Sequence, residues 1–504
     1  MENRMWTGKW IWPSIEGAER PCGRQRRALF RRVFQLDRAE GATLRLEISA
    51  DSRYRLYANG QFVARGPCKG DAWRHYYDDI DLSAYLKDGD NVLAAEVVHY
   101  PMLAGGPGVE RAPSSAWRSP QGGLWVQGAL RDSEGRLIET LDSGAAWKVT
   151  AVDPAAFRIR EEKETLFVGG TEEAKGALIP AGWRDCDYDD SAWTTPAKPI
   201  DPIDPLYGGL ALWQLAKRPI PMLRETRAAF ARVMRGQWPE AEHANAGAPG
   251  KLRLEPGQSG WIELDAGRMT TGYPLLSCEG GAGAEIRVLY AEAYERPDTG
   301  QSTPRRRIRD DTNGASLRGN EDVFYPSGRG TEANPETYEP MGRRAYRFVR
   351  VFAAAGESSL SFSLTHADTG YPLAAFSRVE TSDPLAERMW EVSLNTLRCC
   401  MQDTYEDTPY YEQLQYAMDA KLQALYTYAV SADDRLATKA IHDFHASLTP
   451  DGMLQSRYPS VDRQIIPGFA LLWIDMVHDH FMHFGDLGLA ARYRPTIDAV
   501  LDWF

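Results

Sequence analysis

The sequence predicts a multidomain β + α chain in which two N-terminal β-sandwich domains are followed by part of a helical barrel. Three observations predict it. The chain has 504 residues, too many for one core, which stops growing near 250–300 residues. Residues 1–370 carry short, β-branched and aromatic runs separated by turn chemistry. After Asp383-Pro384 the apolar period lengthens from two residues to between three and four, which is the signature of helices.

In residues 1–200, Ala28–Leu36, Thr43–Ile48, Tyr54–Tyr57 and Asn91–Val98 read as strands. Asn59-Gly60 is a two-residue hairpin signal. Lys87-Asp-Gly-Asp-Asn91 is a second turn, and Tyr188-Asp-Asp-Ser-Ala-Trp193 reads as a closing edge. About ten residues per strand and turn fits a jelly-roll-like β-sandwich. Residues 201–217 hold Pro202, Pro205, Gly208 and Gly209 and read as a linker. A second β-sandwich is expected over 218–370, with Ser259–Leu264, Glu285–Tyr290 and Tyr346–Phe352 as its clearest strands. Between them, Pro304-Arg-Arg-Arg-Ile-Arg-Asp-Asp311 reads as a solvated loop in preference to an anion contact. Residues 371–504 read as helices. Leu385, Met389, Val392 and Cys399 share one helical face, Leu422, Leu425 and Tyr426 another, and Leu471, Ile474, Val477 and Phe481 a third. A last amphipathic helix is expected from Pro495 to Phe504. It ends on Trp503-Phe504 with no Gly, Asn or basic cap, so the sequence reads as cut inside a domain.

Composition excludes several functions. The formal charge of −12 argues against a general nucleic-acid binder. No window approaches 18 consecutive apolar residues, so no membrane span is expected. The first residues lack an apolar signal core, which makes the cytoplasm the expected location. Six cysteines show no metal-ligand spacing, and adjacent Cys399 and Cys400 read as buried thiols. With 15 Trp, 23 Tyr and 16 Phe the chain is aromatic-rich. Aromatic rings stack on sugar C–H faces as well as in cores, so this is a mild pointer to carbohydrate. Asp475, His478, Asp479, His480 and His483 read as a polar helix face in preference to a metal site, and no metal or cofactor is expected. Gly105-Gly-Pro-Gly108 lacks the Lys and the strand–loop–helix context of a phosphate loop.

The densest polar and aromatic cluster is Asp403-Thr-Tyr-Glu-Asp407-Thr-Pro-Tyr-Tyr-Glu412-Gln-Leu-Gln-Tyr-Ala-Met-Asp419. Pro409 suits the first position of a helix, with Thr408 or Asp407 as its cap. Glu412 would then lie in the first turns and Asp419 two turns further along nearly the same face. Asp407, Glu412 and Asp419 would converge among Tyr410, Tyr411 and Tyr416. Crowded carboxylates and aromatic walls raise proton affinity, which a general acid needs near neutral pH. Glu412, the longer side chain, is the candidate acid. The plainer reading makes Asp407 a cap, Glu412 a helix-dipole partner and Asp419 a surface charge.

The run from Asp407 to Asp419 resembles the signature segment of the α-L-rhamnosidases of glycoside hydrolase family 78. Trp10-Ile-Trp-Pro13, Ala50–Gly60, Tyr338-Glu-Pro340 with Arg344–Arg350, and Gln464–Trp473 resemble stretches of that family in the same order. The resemblance implies an (α/α)6 barrel preceded by β-sandwiches. It also implies inverting hydrolysis of terminal α-L-rhamnosyl residues, with a carbohydrate as the partner and the oligomeric state left open. It implies further that Glu412 is the general acid and that Asp407 and Asp419 bind sugar hydroxyls. Tyr411, Tyr416, Tyr458 and Trp473 are the expected aromatic contacts. Some relatives bind calcium, but Asp185-Cys-Asp-Tyr-Asp-Asp190 has no recognisable ligand spacing, so no ion is placed.

Inversion needs a second carboxylate to activate water, about 6.5–9.5 Å from the acid. No residue matches the family's base, which is expected beyond residue 504. Asp462 and Asp475 are within conceivable reach of the mouth. Two other functions fit parts of the sequence. One is a non-catalytic carbohydrate-binding protein using the β domains. The other is a polysaccharide lyase using Tyr411 and the arginines at 305–307.

Overall fold

The structure is a computed structural model that describes residues 6–14, 23–101, 109–160, 167–194, 212–238, 250–296 and 308–504, with the backbone of the strand Pro199–Ile200. Gly105–Gly108, most of the expected linker and Arg305–Arg307 lie outside the described residues. The chain divides into two compact units, Met1–Pro154 with Ile179–Pro219, and Ala155–Leu178 with Ile220–Phe504.

The first unit is built of a seven-stranded and a five-stranded sheet. All four strands expected here form, each one to three residues longer at one or both ends than the apolar run alone. Asn59 and Gly60 both take positive φ (50° and 78°) and join Arg53–Ala58 to Gln61–Gly66, as a two-residue hairpin turn requires. Asn91 ties its own turn together, its amide donating to the carbonyls of Lys87 and Gly89. The end of the expected linker is not a loop. Leu215–Lys217 pairs in parallel with His75–Asp81 and extends the larger sheet.

The second unit begins with an eleven-stranded sheet. Its spine is Ser259–Gly280, a 22-residue strand that pairs with Arg344–Ala354 on one side and Leu360–Gly370 on the other, shifting register between Asp265 and Thr270. Residues 155–178 fall in the first domain by sequence but belong here. Phe157–Arg160 and Thr171–Lys175 form a hairpin, and the latter strand pairs in parallel with Asn320–Tyr325. Periodicity carries no information about which distant strand a segment joins, so this exchange was not legible. A buried ion pair secures it. Arg344 donates to both oxygens of Asp322, at 2.8 and 2.7 Å, and the Glu172 amide donates to Asp322 at 2.6 Å. Glu172 in turn accepts from the Met341 amide at 2.8 Å, which fixes the loop leading to Arg343.

Five helices follow: α1 (Pro384–Cys400), α2 (Ala417–Val430), α3 (Arg435–Ala446), α4 (Pro467–Phe484) and α5 (Leu487–Trp503). Asp383 caps α1, accepting from the Leu385 amide, and Pro384 occupies its first turn, at the point where the sequence's apolar period changes. α4 opens on Pro467 and closes on Gly485 at a positive φ of 69°. The last helix starts eight residues earlier than the pattern suggested. Asp486 caps it, and Pro495 lies inside it. α2 packs on α4, which packs on α3 and α5. The expected apolar face of α1 is largely exposed: Leu385, Met389 and Val392 all face solvent, and burial is confined to Leu397, Cys399 and Cys400. No described helix is long and apolar enough to cross a membrane.

Candidate functional site

The expected helix at Pro409 does not form. α2 begins at Ala417, and the preceding segment is a closed loop. The Asp407 amide donates to the Leu414 carbonyl at 2.9 Å, and the Leu414 amide donates back to Asp407 Oδ1 at 3.2 Å. Inside this ring the Gln413 amide donates to the Thr408 carbonyl. Gln413 takes φ 57°, a left-handed conformation that ends any helical continuation. Glu412 therefore sits on a turn, and Asp419 lies in the first turn of α2. The two are not one helix face.

The three carboxylates nevertheless meet. Burial pushes Asp407 up to about 8, helped by side-chain hydrogen bonding and like-charge contact with Glu412; amide donors from Thr408 and Leu414 pull the other way. Asp419 is also raised, first by burial and then by the charge of Glu412. The Tyr416 hydroxyl is raised by burial and by its hydrogen bond to Glu412, while Arg457 opposes the shift. The sequence reading looks for a retained proton at Glu412; the structure raises the proton affinity of its neighbour Asp407. Burial of the closed loop outweighs its two amide donors.

Arg457 brings a cation to this cluster. Its guanidinium donates to the Tyr416 hydroxyl at 3.2 Å and lies 5.0 Å from the centre of the Phe167 ring. Phe167 comes from the hairpin that crossed over from the sequence's first domain. Neither residue was singled out from the sequence. Arg457 stands in a loop beside Tyr458-Pro459, where no periodic or motif signal points to it.

The other expected contacts divide. Tyr458 is buried next to the cluster, and its amide and carbonyl are both held by Gln415. Tyr411 is exposed on the turn. Trp473 is fully buried in α4. Its indole N–H donates to the Ile441 carbonyl at 2.9 Å, and Tyr493 packs edge-on against its ring. In this structure it is a packing residue between helices and not a surface on which a sugar could stack. Asp475 is exposed on α4, and Asp462 lies in the turn after Arg457, its carbonyl accepting from that side chain. The His and Asp residues of α4 disperse into separate contacts. His480 meets Asp434 at 2.9 Å, Asp479 meets Lys421 at 3.5 Å, and His483 contacts the Asp479 carbonyl. Among the described residues no three His, Cys, Asp or Glu side chains are grouped to hold a metal. Cys399 and Cys400 are buried, with both thiols pushed up to about 12 by burial.

A cavity of about 660 Å³ opens between α1 and α2. Asp407, Asp419 and Gln423 are polar groups in its wall, beside Leu397, Leu422 and Tyr426. A few convergent polar groups in a mostly apolar concavity is the usual make-up of a small-molecule site.

Comparison with known proteins agrees with this architecture. Residues 374–504 match the family described as bacterial alpha-L-rhamnosidase 6 hairpin glycosidase domain. The whole fold is shared with solved rhamnosidases. The family 78 rhamnosidase of Bacillus sp. GL1 superimposes with a TM-score of 0.79 at 17% identity, over 99% of this chain and 69% of that one. The α-L-rhamnosidase of Dictyoglumus thermophilum gives 0.69 at 18% identity, over 100% and 52%. The Streptomyces avermitilis α-L-rhamnosidase, solved with L-rhamnose, gives 0.68 at 19% identity, over 95% and 42%. The chain thus spans less than two thirds of the length of two of these three. No curated protein sequence matches it. The resemblance noted in the sequence therefore holds for the fold along the chain, and for the glycosidase family model over its helical part.

Proposed function

We propose that the protein is a glycoside hydrolase that removes terminal α-L-rhamnosyl residues with inversion at the anomeric carbon. One observation carries the reading: Asp407, Glu412 and Asp419, from a closed loop and a helix N-terminus, converge with Tyr416 and Arg457 on one cluster, and the two aspartates line one cavity. Glu412 hands a proton to the departing glycosidic oxygen. The proton that Asp407 keeps to about pH 8 belongs to a coupled pair, so it is available at the cluster under neutral conditions. Asp419 and Asp407 accept hydrogen bonds from sugar hydroxyls, and Tyr416, braced by Arg457, sets the direction of Glu412. The carboxylate that activates water is assigned to none of the described residues.

The polysaccharide lyase reading finds less support. Tyr411, its base, is exposed, and two carboxyls, Asp407 and Asp419, are raised in the cluster beside Tyr416.

The test is proton NMR of the sugar released from an α-L-rhamnoside at early times. The β-anomer of rhamnose is expected first, with mutarotation following. First appearance of the α-anomer would reject inversion, and an unsaturated product absorbing in the ultraviolet would transfer the site to lyase chemistry.

A further inference from the structure

The loop carrying Asp407 and Glu412 has no helix or strand of its own, yet it must hold these groups against Asp419 on α2. Its internal hydrogen bonds close it into a ring but do not say where the ring sits. Two contacts with the β-region of the same unit, one at a strand end and one in the loop before a strand, do.

The first is Tyr410, at the tip of the loop and buried. Its hydroxyl donates to the Tyr290 carbonyl at 2.9 Å and accepts from the Asn320 amide at 3.1 Å. Tyr290 and Asn320 are the terminal partners of two antiparallel strands, so the phenol bridges the end of a β-ladder. Gly319 makes room for it: a Cβ there would overlap both the Tyr410 hydroxyl and the Tyr290 carbonyl. The second contact is Glu406, next to Asp407. Its carboxylate accepts from Arg343 at 2.5 Å, with the two side chains 0% and 8% exposed. Its amide donates to the Cys400 carbonyl, and its carbonyl accepts from Gln423. Asp407 lies between these two anchors.

We infer that Tyr410, seated over Gly319 in the end of the β-ladder, is a positioning residue that together with the Arg343–Glu406 pair sets the placement of the Asp407–Glu412 carboxyl pair. The role assigned to that pair rests on the proposed function; the placement itself does not. The β-domain is then part of the site's machinery, through a hydroxyl that never touches substrate.

Tyr410→Phe and Gly319→Ala test this. Both leave net charge unchanged, so the Asp407 titration moves only if the geometry around it moves. The charged and titratable groups around it are Glu412, Asp419, Tyr416, Arg457, Glu406, Arg343 and Cys400, with the phenol of Tyr410 on the loop itself; Tyr410→Phe removes only that phenol, and Gly319→Ala removes no titratable group. Carbon-13 NMR of labelled aspartate is expected to show the Asp407 midpoint falling from about 8 by about one pH unit or more as water reaches the loosened loop. Leu489→Ala, in α5, is the control: it lowers the thermal midpoint and leaves the Asp407 titration where it was. An Asp407 midpoint unchanged in Tyr410→Phe would overturn the inference. If that variant does not fold, an unchanged midpoint in Gly319→Ala would do the same. Calorimetry of the unsubstituted protein with L-rhamnose separates the two proposals. Absence of binding counts against the functional reading and leaves the titration result standing.

Discussion

Replacing Glu412 with Gln lowers turnover of an unactivated α-L-rhamnoside by about 100-fold or more, the usual contribution of a positioned general acid. Gln keeps the length and most of the hydrogen bonding of Glu but has no proton to give. Its amide can still meet Asp407 and the Tyr416 hydroxyl, so the loop is expected to keep its shape. The loss should therefore depend on the leaving group. An aryl rhamnoside whose phenol departs without protonation should lose far less, because acid assistance matters least where the leaving group is already stable as an anion. The pH profile adds a second readout. The alkaline limb of kcat/KM reports the ionisation that disables the acid in the free enzyme, and it should vanish or shift in the variant. A loss of only a few-fold on the unactivated substrate, or an equal loss on both substrates, would remove Glu412 from the acid role.

How much of this was legible in advance depends on the range of the interaction involved. Asn59-Gly60 was read from two adjacent residues and forms as expected, with both residues at positive φ, and the change of period after Asp383-Pro384 does mark the start of α1. In the segment Asp407–Asp419 the three carboxyls influence one another, but not through the single helix face that the sequence suggested. Thr408-Pro409 is a sound helix-start signal taken alone. It is overruled because the Asp407 side chain satisfies the Leu414 amide and Tyr410 is drawn into a distant strand end. Local propensity cannot report a partner 120 residues away. Trp473 failed in a similar way. Its spacing with Ile474 and Val477 marks a helix, but the same spacing serves an aromatic facing a ligand or one facing the next helix, and here α3 and α5 take it. Arg457 and Phe167 were invisible because each is a single residue in a loop, brought to the cluster by tertiary packing alone.

Asp407→Asn should separate stability from function more sharply than any other substitution in the cluster. Asp407 has an ordinary value of 3.8 and is held at about 8 in the folded protein. Below pH 4 both states carry the proton and folding is indifferent to it. Between pH 4 and 8 the unfolded chain has lost a proton that the native state retains, so the native state binds more protons and stability falls as pH rises. Above pH 8 the native carboxyl is ionised and the whole cost is present. Asn cannot ionise, yet its oxygen can still accept from the Leu414 amide. The variant should therefore match the natural protein near pH 4 and exceed it increasingly up to pH 8. Because the side chain is only partly buried, the plateau gain is discounted to about 1–3 kcal/mol. Urea unfolding at pH 4.5, 6.5 and 8.5 measures this. Turnover should move the opposite way, falling about 100-fold or more because the Asp407–Glu412 pair can no longer hold and pass a proton. A more stable and less active variant is what a site held in a costly arrangement produces. A stability difference that does not grow with pH would show that Asp407 is solvated and ordinary, and would remove the proton reservoir from which Glu412 is proposed to draw.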